Sequence, residues 1–223
     1  MKVRVKLLIT FLLIVPAFVQ AQIRPPDALA EYRAGNYERS IQICRDEITE
    51  NPYNIESYVV ICWSLIRLNR YEEALRSAQT GRALNRADVR IIEIMGEIYY
   101  FQGHNAEALS FFQEYASLAP EGQRIDMVYY YIGEIYIRQG KFRHADISLT
   151  TAVQWAPGNS SWWVRLAYAR ENAANMRSAQ EAYERARDMN SALEAYERAL
   201  SLNPQMTDAQ RGMERIRRSM GGQ

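Results

Sequence analysis

Apolar residues recur along most of the chain at the spacing of amphipathic α-helices. A typical stripe is formed by Tyr58, Ile61, Cys62 and Leu65, whose neighbours are three or four positions apart. This spacing places side chains on one face of a helix. A shorter stripe that begins at Ala74 follows it. The pattern therefore predicts pairs of helices, each of which buries one face against its neighbour.

The helix pairs repeat at a nearly constant interval along the chain. Turn motifs of the Gly-Asn-Tyr type begin at Gly35, Asn69, Gly103, Gly140 and Ala174. The intervals between successive motifs are equal, except that the interval from Gly103 to Gly140 is three residues longer. Glycine at such a turn can adopt a positive φ and end the first helix. Proline, which stops a second helix, closes three units at Pro52, Pro120 and Pro157. The predicted units, numbered one to five, span about 24–54, 55–88, 89–122, 126–159 and 160–204.

Units three and four carry the most complete motif. Unit three contains Ile92, Met95, Gly96, Tyr99, Ala108, Phe112 and Pro120, and unit four contains Tyr129, Ile132, Gly133, Tyr136, Ala145, Leu149 and Pro157. This motif resembles that of the tetratricopeptide repeat family, and the resemblance covers roughly residues 24–204. It implies an all-α fold, a right-handed superhelical solenoid of about five helix-turn-helix repeats. Residues 205–223 are predicted to form a C-terminal capping helix and tail.

A segment near the C-terminus occurs twice in tandem. Residues 178–190 and 191–203 are identical at nine of 13 positions, and both copies are typical of a second helix. Two interpretations remain open: one long helix, or a helix that restarts at Ser191 through a capping box with Glu194. If the second copy merely extends the helix as a protruding end, its deletion is expected to lower the thermal stability only slightly.

The N-terminal segment 1–21 has the parts of a secretory signal peptide. A positively charged start, formed by Lys2, Arg4 and Lys6, precedes an apolar stretch over 7–19 and the small-residue cleavage motif that ends at Ala21. A helix of the length of that stretch extends about 20 Å, which is less than the ~30 Å hydrocarbon core of a membrane. We therefore expect cleavage after Ala21, with an uncleaved anchor as the alternative. The mature protein is expected to be exported to a bacterial periplasm or cell surface, without a membrane span.

Composition and charge argue against several classes of protein. The chain is 48% apolar and 24% charged, and its formal net charge is only +1. A nearly neutral chain has no electrostatic footprint for nucleic acid. The sequence shows no phosphate-binding loop and no catalytic constellation, and His104 and His144 have no nearby cysteine or histidine partner. We expect no metal, no cofactor and no enzymatic activity.

The two cysteines leave two possibilities open. Cys44 falls on the second helix of unit one and Cys62 on the first helix of unit two. These helices are neighbours in the fold that the sequence resembles, and both positions face the core. An oxidising compartment would permit a disulfide between them, whereas two buried free thiols would act as small hydrophobic side chains.

The resemblance also implies a surface for a partner, because the first helices of this family line a concave groove that binds proteins or peptides. The corresponding groove positions are Trp63, Arg67, Glu93, Glu97, Tyr100, Phe101, Tyr130, Glu134, Arg138, Tyr168 and Glu171. Tyrosine, tryptophan and arginine dominate binding hot spots. We therefore expect a non-catalytic scaffold that binds another protein or peptide in this groove.

Two further expectations concern the shape and chemistry of the groove. Trp63, Tyr100 and Tyr130 are expected to form an exposed aromatic row along its inner wall. Val59 and Trp63 occupy two positions at which the chaperone-binding subfamily carries its carboxylate clamp, so we expect no such clamp. The alternative to a scaffold is an accessory protein that binds a solute in a closed pocket formed by Trp63, Tyr100 and Tyr130.

Overall fold

Eleven helices and no strand occupy the residues that the computed structural model describes, 26–175 and 182–221. In chain order they are α1 (Ala28–Arg33), α2 (Tyr37–Glu50), α3 (Ile55–Arg67), α4 (Tyr71–Leu84), α5 (Val89–Phe101), α6 (Asn105–Leu118), α7 (Ile125–Arg138), α8 (Phe142–Trp155), α9 (Ser160–Asn175), α10 (Ala182–Leu202) and α11 (Thr207–Gly221). None of them combines the length and the apolar composition needed to cross a membrane. The predicted signal peptide, residues 1–21, lies outside the described residues.

The helices stack in pairs along one direction. Consecutive helices pack against each other from α1 to α11, and each odd-numbered helix also contacts the next odd-numbered one. The odd-numbered helices thus form one continuous layer of the solenoid, and the even-numbered helices cover it from the other side. Helix α11 contacts α9 and α10 and buries Ala209, Met213 and Ile216 against them. The fold is the all-α repeat solenoid predicted from the helical periodicity.

The turns between paired helices use the left-handed backbone conformation that the glycine motif predicts. Gly35, Gly103 and Gly140 have φ angles from 68° to 83°, and Asn69 reaches 57° at the equivalent position of unit two. Apart from glycine, asparagine and aspartate are the residues that enter this region most readily. Unit five departs from the pattern, because α9 continues past Ala174, where the other units have already turned.

Two glycines on first helices allow an unusually close approach of the second helix. A Cβ atom added to Gly96 would lie 2.6 Å from the ring of Phe112, and one added to Gly133 would lie 2.6 Å from Leu149. Phe112 and Leu149 are fully buried. The glycines of the motif therefore act by providing space for the large side chain of the opposite helix.

The start of unit one contains Arg24, Pro25, Pro26 and Asp27, which predicts a shortened first helix that begins at Pro26, since proline suits a first helical turn. The first helix is short, but it begins later than Pro26. It starts at Ala28 because Asp27 is the N-cap, and the Asp27 carboxylate accepts a hydrogen bond of 2.9 Å from the backbone N–H of Ala30. The Ser40 hydroxyl donates to the carbonyl of Ala28 at 2.7 Å. This buried hydrogen bond joins the short helix α1 to α2.

The tandem copies lie in a helix that does not restart. Helix α10 runs without interruption from Ala182 through Ser191 to Leu202, so the interpretation of a new helix capped at Ser191 is wrong. The beginning of the first copy, up to residue 181, lies outside the described residues.

The second copy belongs to the core of the last repeat. Ala192, Ala195, Tyr196 and Ala199 are all at most 1% exposed, and α10 packs along α9. The ring of Tyr196 lies against Gly212 of α11. The second copy is therefore not a protruding end, because it supplies the residues that close the C-terminal core.

Deletion of residues 191–203 is nevertheless expected to leave the fold intact, for a different reason. The interval from Pro157 to Pro204 equals one repeat period plus one copy of the duplicated segment. The two copies are identical at nine of 13 positions, including those of Ala195, Tyr196 and Ala199, so the remaining copy keeps the residue types that the core requires. Thermal unfolding should show a small change for the deletion, whereas Tyr196→Ala in the full chain should cost about 3–5 kcal/mol. A cooperative loss of the fold on deletion would show that the first copy cannot substitute.

Candidate functional site

A partly open cavity of about 610 Å³ lies against the layer of odd-numbered helices in units one to four. Its aromatic walls consist of Tyr32, Trp63, Phe101, Tyr115 and Tyr131. Charged side chains also line it, namely Arg67, Arg90, Glu93, Glu97 and Arg124. Helices α1, α3, α5, α6 and α7 and the turn before α7 all contribute. We refer to this feature as the inner cavity.

The inner cavity contains about half of the residues predicted for the groove. Five of them line it: Trp63, Arg67, Glu93, Glu97 and Phe101. The other six predicted groove residues do not line it: Tyr100, Tyr130, Glu134, Arg138, Tyr168 and Glu171. Sequence reasoning missed Arg124, which belongs to a three-residue insertion before unit four, and Tyr32 of the short first helix. No local motif distinguishes either residue as part of a site.

Two buried glutamates and one arginine, whose side chain is 46% exposed, form the floor of the inner cavity. The side chains of Glu93 and Glu97, one helical turn apart on α5, are only 4% and 9% exposed. Arg124 Nη2 lies 2.9 Å from Glu93 Oε1 and 2.8 Å from Glu97 Oε1, and its Nε donates to Glu93 at 3.0 Å. The backbone N–H of Arg124 donates to the Tyr115 hydroxyl at 3.2 Å. We call Glu93, Glu97 and Arg124 the floor triad.

The electrostatics of the floor triad favour a proton on Glu93. Burial raises the pKa of the Glu93 carboxyl well above its ordinary range, and the neighbouring Glu97 raises it further. Arg124 acts in the opposite direction. One guanidinium cannot neutralise two carboxylates, and an uncompensated charge in a buried site is costly. The triad is therefore most stable with one glutamate protonated and the other ionised.

Glutamates at equivalent positions bind arginines throughout the C-terminal half of the solenoid. Glu97, Glu134 and Glu171 follow one another at equal intervals along the chain. Arg165 binds Glu134 through two hydrogen bonds of 2.6 and 2.9 Å, and Arg215 binds Glu171 through two of 3.1 Å. Each arginine comes from the next layer of helices. These contacts hold successive layers together, so Glu134 and Glu171 are engaged within the protein.

The predicted exposed aromatic row is not present. Tyr100 is buried, and the guanidinium of Arg138 lies 3.9 Å from the centre of its ring. Tyr130 is half-buried and stacks on Trp162 of the next repeat, with 4.9 Å between the ring centres. Burial raises the pKa of Tyr130 to about 12. These rings pack between layers, which leaves Trp63 as the one member of the expected row that lines the inner cavity.

The rim of the inner cavity carries further side chains that solvent can reach. Phe101 is 42% exposed and stacks on Tyr71 at 5.5 Å between ring centres. Arg67 is exposed and its Nε donates to the Tyr37 hydroxyl at 3.2 Å. Trp63 lies beside Tyr32, with 5.8 Å between ring centres. An aromatic surface next to an exposed guanidinium suits contact with another polypeptide.

The cysteines are two free thiols in this structure. Cys44 and Cys62 are both fully buried. The Cys62 thiol donates to the carbonyl of Ala74 at 3.4 Å. Burial raises the pKa of Cys44 to about 12 and also raises that of Cys62. Of the two possibilities left by the sequence, the structure contains the unreactive buried thiols.

Solved structures with the same architecture share little sequence with this chain. The structure of PilF from Pseudomonas aeruginosa superposes with a TM-score of 0.71 and 14% identity, over 87% of this chain and 81% of PilF. A crystal structure of MamA gives a TM-score of 0.64 and 15% identity, over 83% of this chain and 99% of MamA. YrrB, described as a tetratricopeptide repeat protein with an unusual peptide-binding site, gives 0.62 and 13%, over 84% of this chain and 88% of YrrB. At these identities the similarity shows the fold alone.

Comparison of sequences identifies the family. No curated protein matches the chain significantly. Three family models, each described as "Tetratricopeptide repeat", match residues 63–122, 128–159 and 164–210. Together they cover more than half of the chain, from within α3 to within α11. The chain therefore belongs to the tetratricopeptide repeat family.

Proposed function

We propose that the protein is a non-catalytic scaffold that binds another protein or a peptide in the inner cavity. The observation that carries this proposal is the cavity itself, in which aromatic walls and charged side chains from five helices face a common space. Aromatic and arginine side chains that are partly exposed next to a concavity are the usual anchors of a protein interface. Phe101, Trp63 and Arg67 have this character.

The chemistry of the charged groups supports a binding function in place of catalysis. Glu93 and Glu97 share Arg124, and Arg90 binds Glu56 and Asp88 at 2.7 and 2.8 Å. These groups pair with one another and do not form a nucleophile with an adjacent base. The peptide-binding site described for YrrB, which shares the fold, lends further support to a peptide as the partner.

We further propose that the scaffold acts in the bacterial cell envelope. The support is the signal-peptide pattern of residues 1–21, with its basic start, apolar stretch and small-residue cleavage motif. Mass spectrometry of the native protein should find Gln22 as the first residue. An intact Met1 in an envelope fraction would contradict cleavage at this site.

The binding surface can be tested with matched variants. We expect Phe101→Ala and Arg67→Ala each to weaken binding of a partner captured from envelope extract by about 1–3 kcal/mol, the range of a hot-spot residue. Both side chains are exposed enough that the melting temperature should change little. The control is Ile147→Ala, because Ile147 is 70% exposed on α8, outside the inner cavity. If Ile147→Ala weakened binding and Phe101→Ala did not, the partner would bind near α8 and not in the inner cavity.

A small solute is the second candidate ligand. The cavity volume of about 610 Å³ falls within the range of about 300–1,000 Å³ that is typical of small-molecule sites. Dialysis of the envelope extract separates the two candidates, since a protein partner is retained and a solute is lost. Binding activity that passes the dialysis membrane would favour the solute.

A further inference from the structure

The floor of the inner cavity lacks one positive charge when both of its glutamates are ionised. Glu93 and Glu97 carry two negative charges on adjacent turns of α5, and Arg124 supplies one positive charge to both. Among the described residues, Arg124 is the one cation that forms an ion pair with either carboxylate. A second cation would complete the charge balance of this buried site.

The other charged and titratable groups around the floor do not supply that cation. From α3, Arg67 is hydrogen-bonded to Tyr37 at the rim. Arg90, on α5 itself, is bound to Glu56 and Asp88. The remaining titratable neighbours are the phenols of Tyr32, Tyr115 and Tyr131, which come from α1, α6 and α7. The pKa of each phenol is raised, mainly by burial. All three phenols therefore keep their protons and are neutral. Helix α4 contributes no residue to the lining of the cavity.

The walls above the floor are suited to the stem and head of a basic side chain. Trp63, Tyr32, Phe101 and Tyr131 present aromatic rings to the cavity. A cation gains energy over the face of such rings, most of all over tryptophan. The methylene groups of lysine or arginine can pack along the same apolar surface while the charged head reaches a polar end.

We propose that the inner cavity accepts a lysine or arginine side chain of the bound polypeptide, whose cationic head binds Glu93 and Glu97 beside Arg124. This inference rests on the proposed function, because it specifies the chemistry of the partner at the same site. It predicts a partner segment with a basic residue as its central anchor.

Binding of a basic side chain is coupled to the release of one proton. Glu93 holds a proton at low pH, because burial and Glu97 raise its pKa. An incoming cation favours the ionised form of Glu93, so the proton leaves to solvent as the cation binds. Affinity for the basic partner therefore increases with pH, by about tenfold per pH unit while Glu93 is protonated in the free protein, and becomes constant above its pKa.

Selection from a random library of displayed heptapeptides tests the preferred chemistry. The full chain, Glu93→Gln and Glu114→Gln are used as targets at pH 8. Glu93→Gln mimics the protonated floor, whereas Glu114→Gln changes a glutamate that pairs with Arg82 and does not line the cavity. We expect lysine or arginine to be enriched at one position with the full chain and with Glu114→Gln, and this enrichment to be lost with Glu93→Gln.

Other outcomes of the selection would contradict either the basic anchor alone or the proposed function as well. Enrichment of acidic or purely apolar peptides whose binding requires Phe101 would overturn the basic anchor and leave the proposed function standing. If no peptide is enriched, or if Phe101→Ala does not weaken the selected peptides, the proposed function fails and the inference fails with it.

A titration with one selected peptide tests the proton coupling. The peptide should lack histidine and acidic residues, and its control carries norleucine in place of the basic anchor. Lysine keeps its charge below pH 9, since its ordinary pKa is about 10.4. We expect the Kd of the basic peptide to fall about tenfold between pH 6 and 7, and no such change for the norleucine peptide or for Glu93→Gln. Equal pH dependence of both peptides would overturn the proposal.

Discussion

Replacement of Arg124 by glutamine is expected to lower the free energy of unfolding by about 1–3 kcal/mol at pH 8, less than for a wholly buried pair because the Arg124 side chain is 46% exposed. The variant leaves Glu93 and Glu97 without a cation, although their side chains are only 4% and 9% exposed. The loss should be smaller at pH 5, because burial raises the pKa of Glu93 and its protonated carboxyl needs no counter-charge there. Urea unfolding at the two pH values measures the difference.

An exposed ion pair provides the control for this experiment. Arg45 pairs with Glu73 at 3.2 Å, and the two side chains are 51% and 33% exposed. Arg45→Gln should therefore cost less than about 1 kcal/mol at either pH. If Arg124→Gln destabilised the protein equally at pH 5 and pH 8, the role of Arg124 would be packing and not charge compensation.

Replacement of Phe112 by alanine is expected to cost about 3–5 kcal/mol of folding free energy. The Phe112 ring is fully buried, fills the space left open by Gly96, and stacks on Tyr131 with 5.3 Å between ring centres. It thereby joins α5, α6 and α7, so its removal leaves a cavity between two repeats. Thermal or urea unfolding measures the loss.

Phe101→Ala is the matched control, since the same side chain is removed from a position that is 42% exposed. It should cost no more than about 1 kcal/mol, because much of the ring is already in contact with water. Similar losses for the two variants would contradict the assignment of Phe112 to the core and of Phe101 to the rim.

The architecture could be predicted from the sequence because it depends on local patterns that repeat. The stripe at Tyr58, Ile61, Cys62 and Leu65 defines a helix by spacing alone. The turn at Gly103 requires a backbone conformation that few residues adopt. Five repetitions of such signals also predict that the helix pairs stack, since each pair alone has too little surface to bury its apolar face.

The site could be predicted only in part, because its contacts join residues that are far apart in the sequence. The register of the first helices predicts Trp63 and Glu97 as groove residues, and both line the inner cavity. Arg124 binds Glu93 across a separation of 31 residues, and nothing near Arg124 indicates that partner. Tyr100 has the register of a groove residue, yet Arg138 covers its ring. Whether a side chain stays available to a partner depends on what the next layer places over it.

The tandem copies show a second kind of limit. Nine of 13 positions are identical, so both copies have the same helical pattern. The burial of the second copy depends on its packing along α9 and on the position of α11 against Tyr196. Neither is encoded in the duplicated segment itself.

The glutamates that bind arginines of the next layer have a consequence for the order in which the solenoid folds. A chain that emerges from its N-terminus, during synthesis or export, can fold its first layers before the last ones are present. Glu134 meets Arg165 only after 31 further residues have been added, and Glu171 meets Arg215 only after 44. Until then, each newly completed layer ends in a hydrated carboxylate and not in a wholly apolar face. The nascent solenoid thus keeps a charged growing end, which opposes the association of unfinished chains with one another.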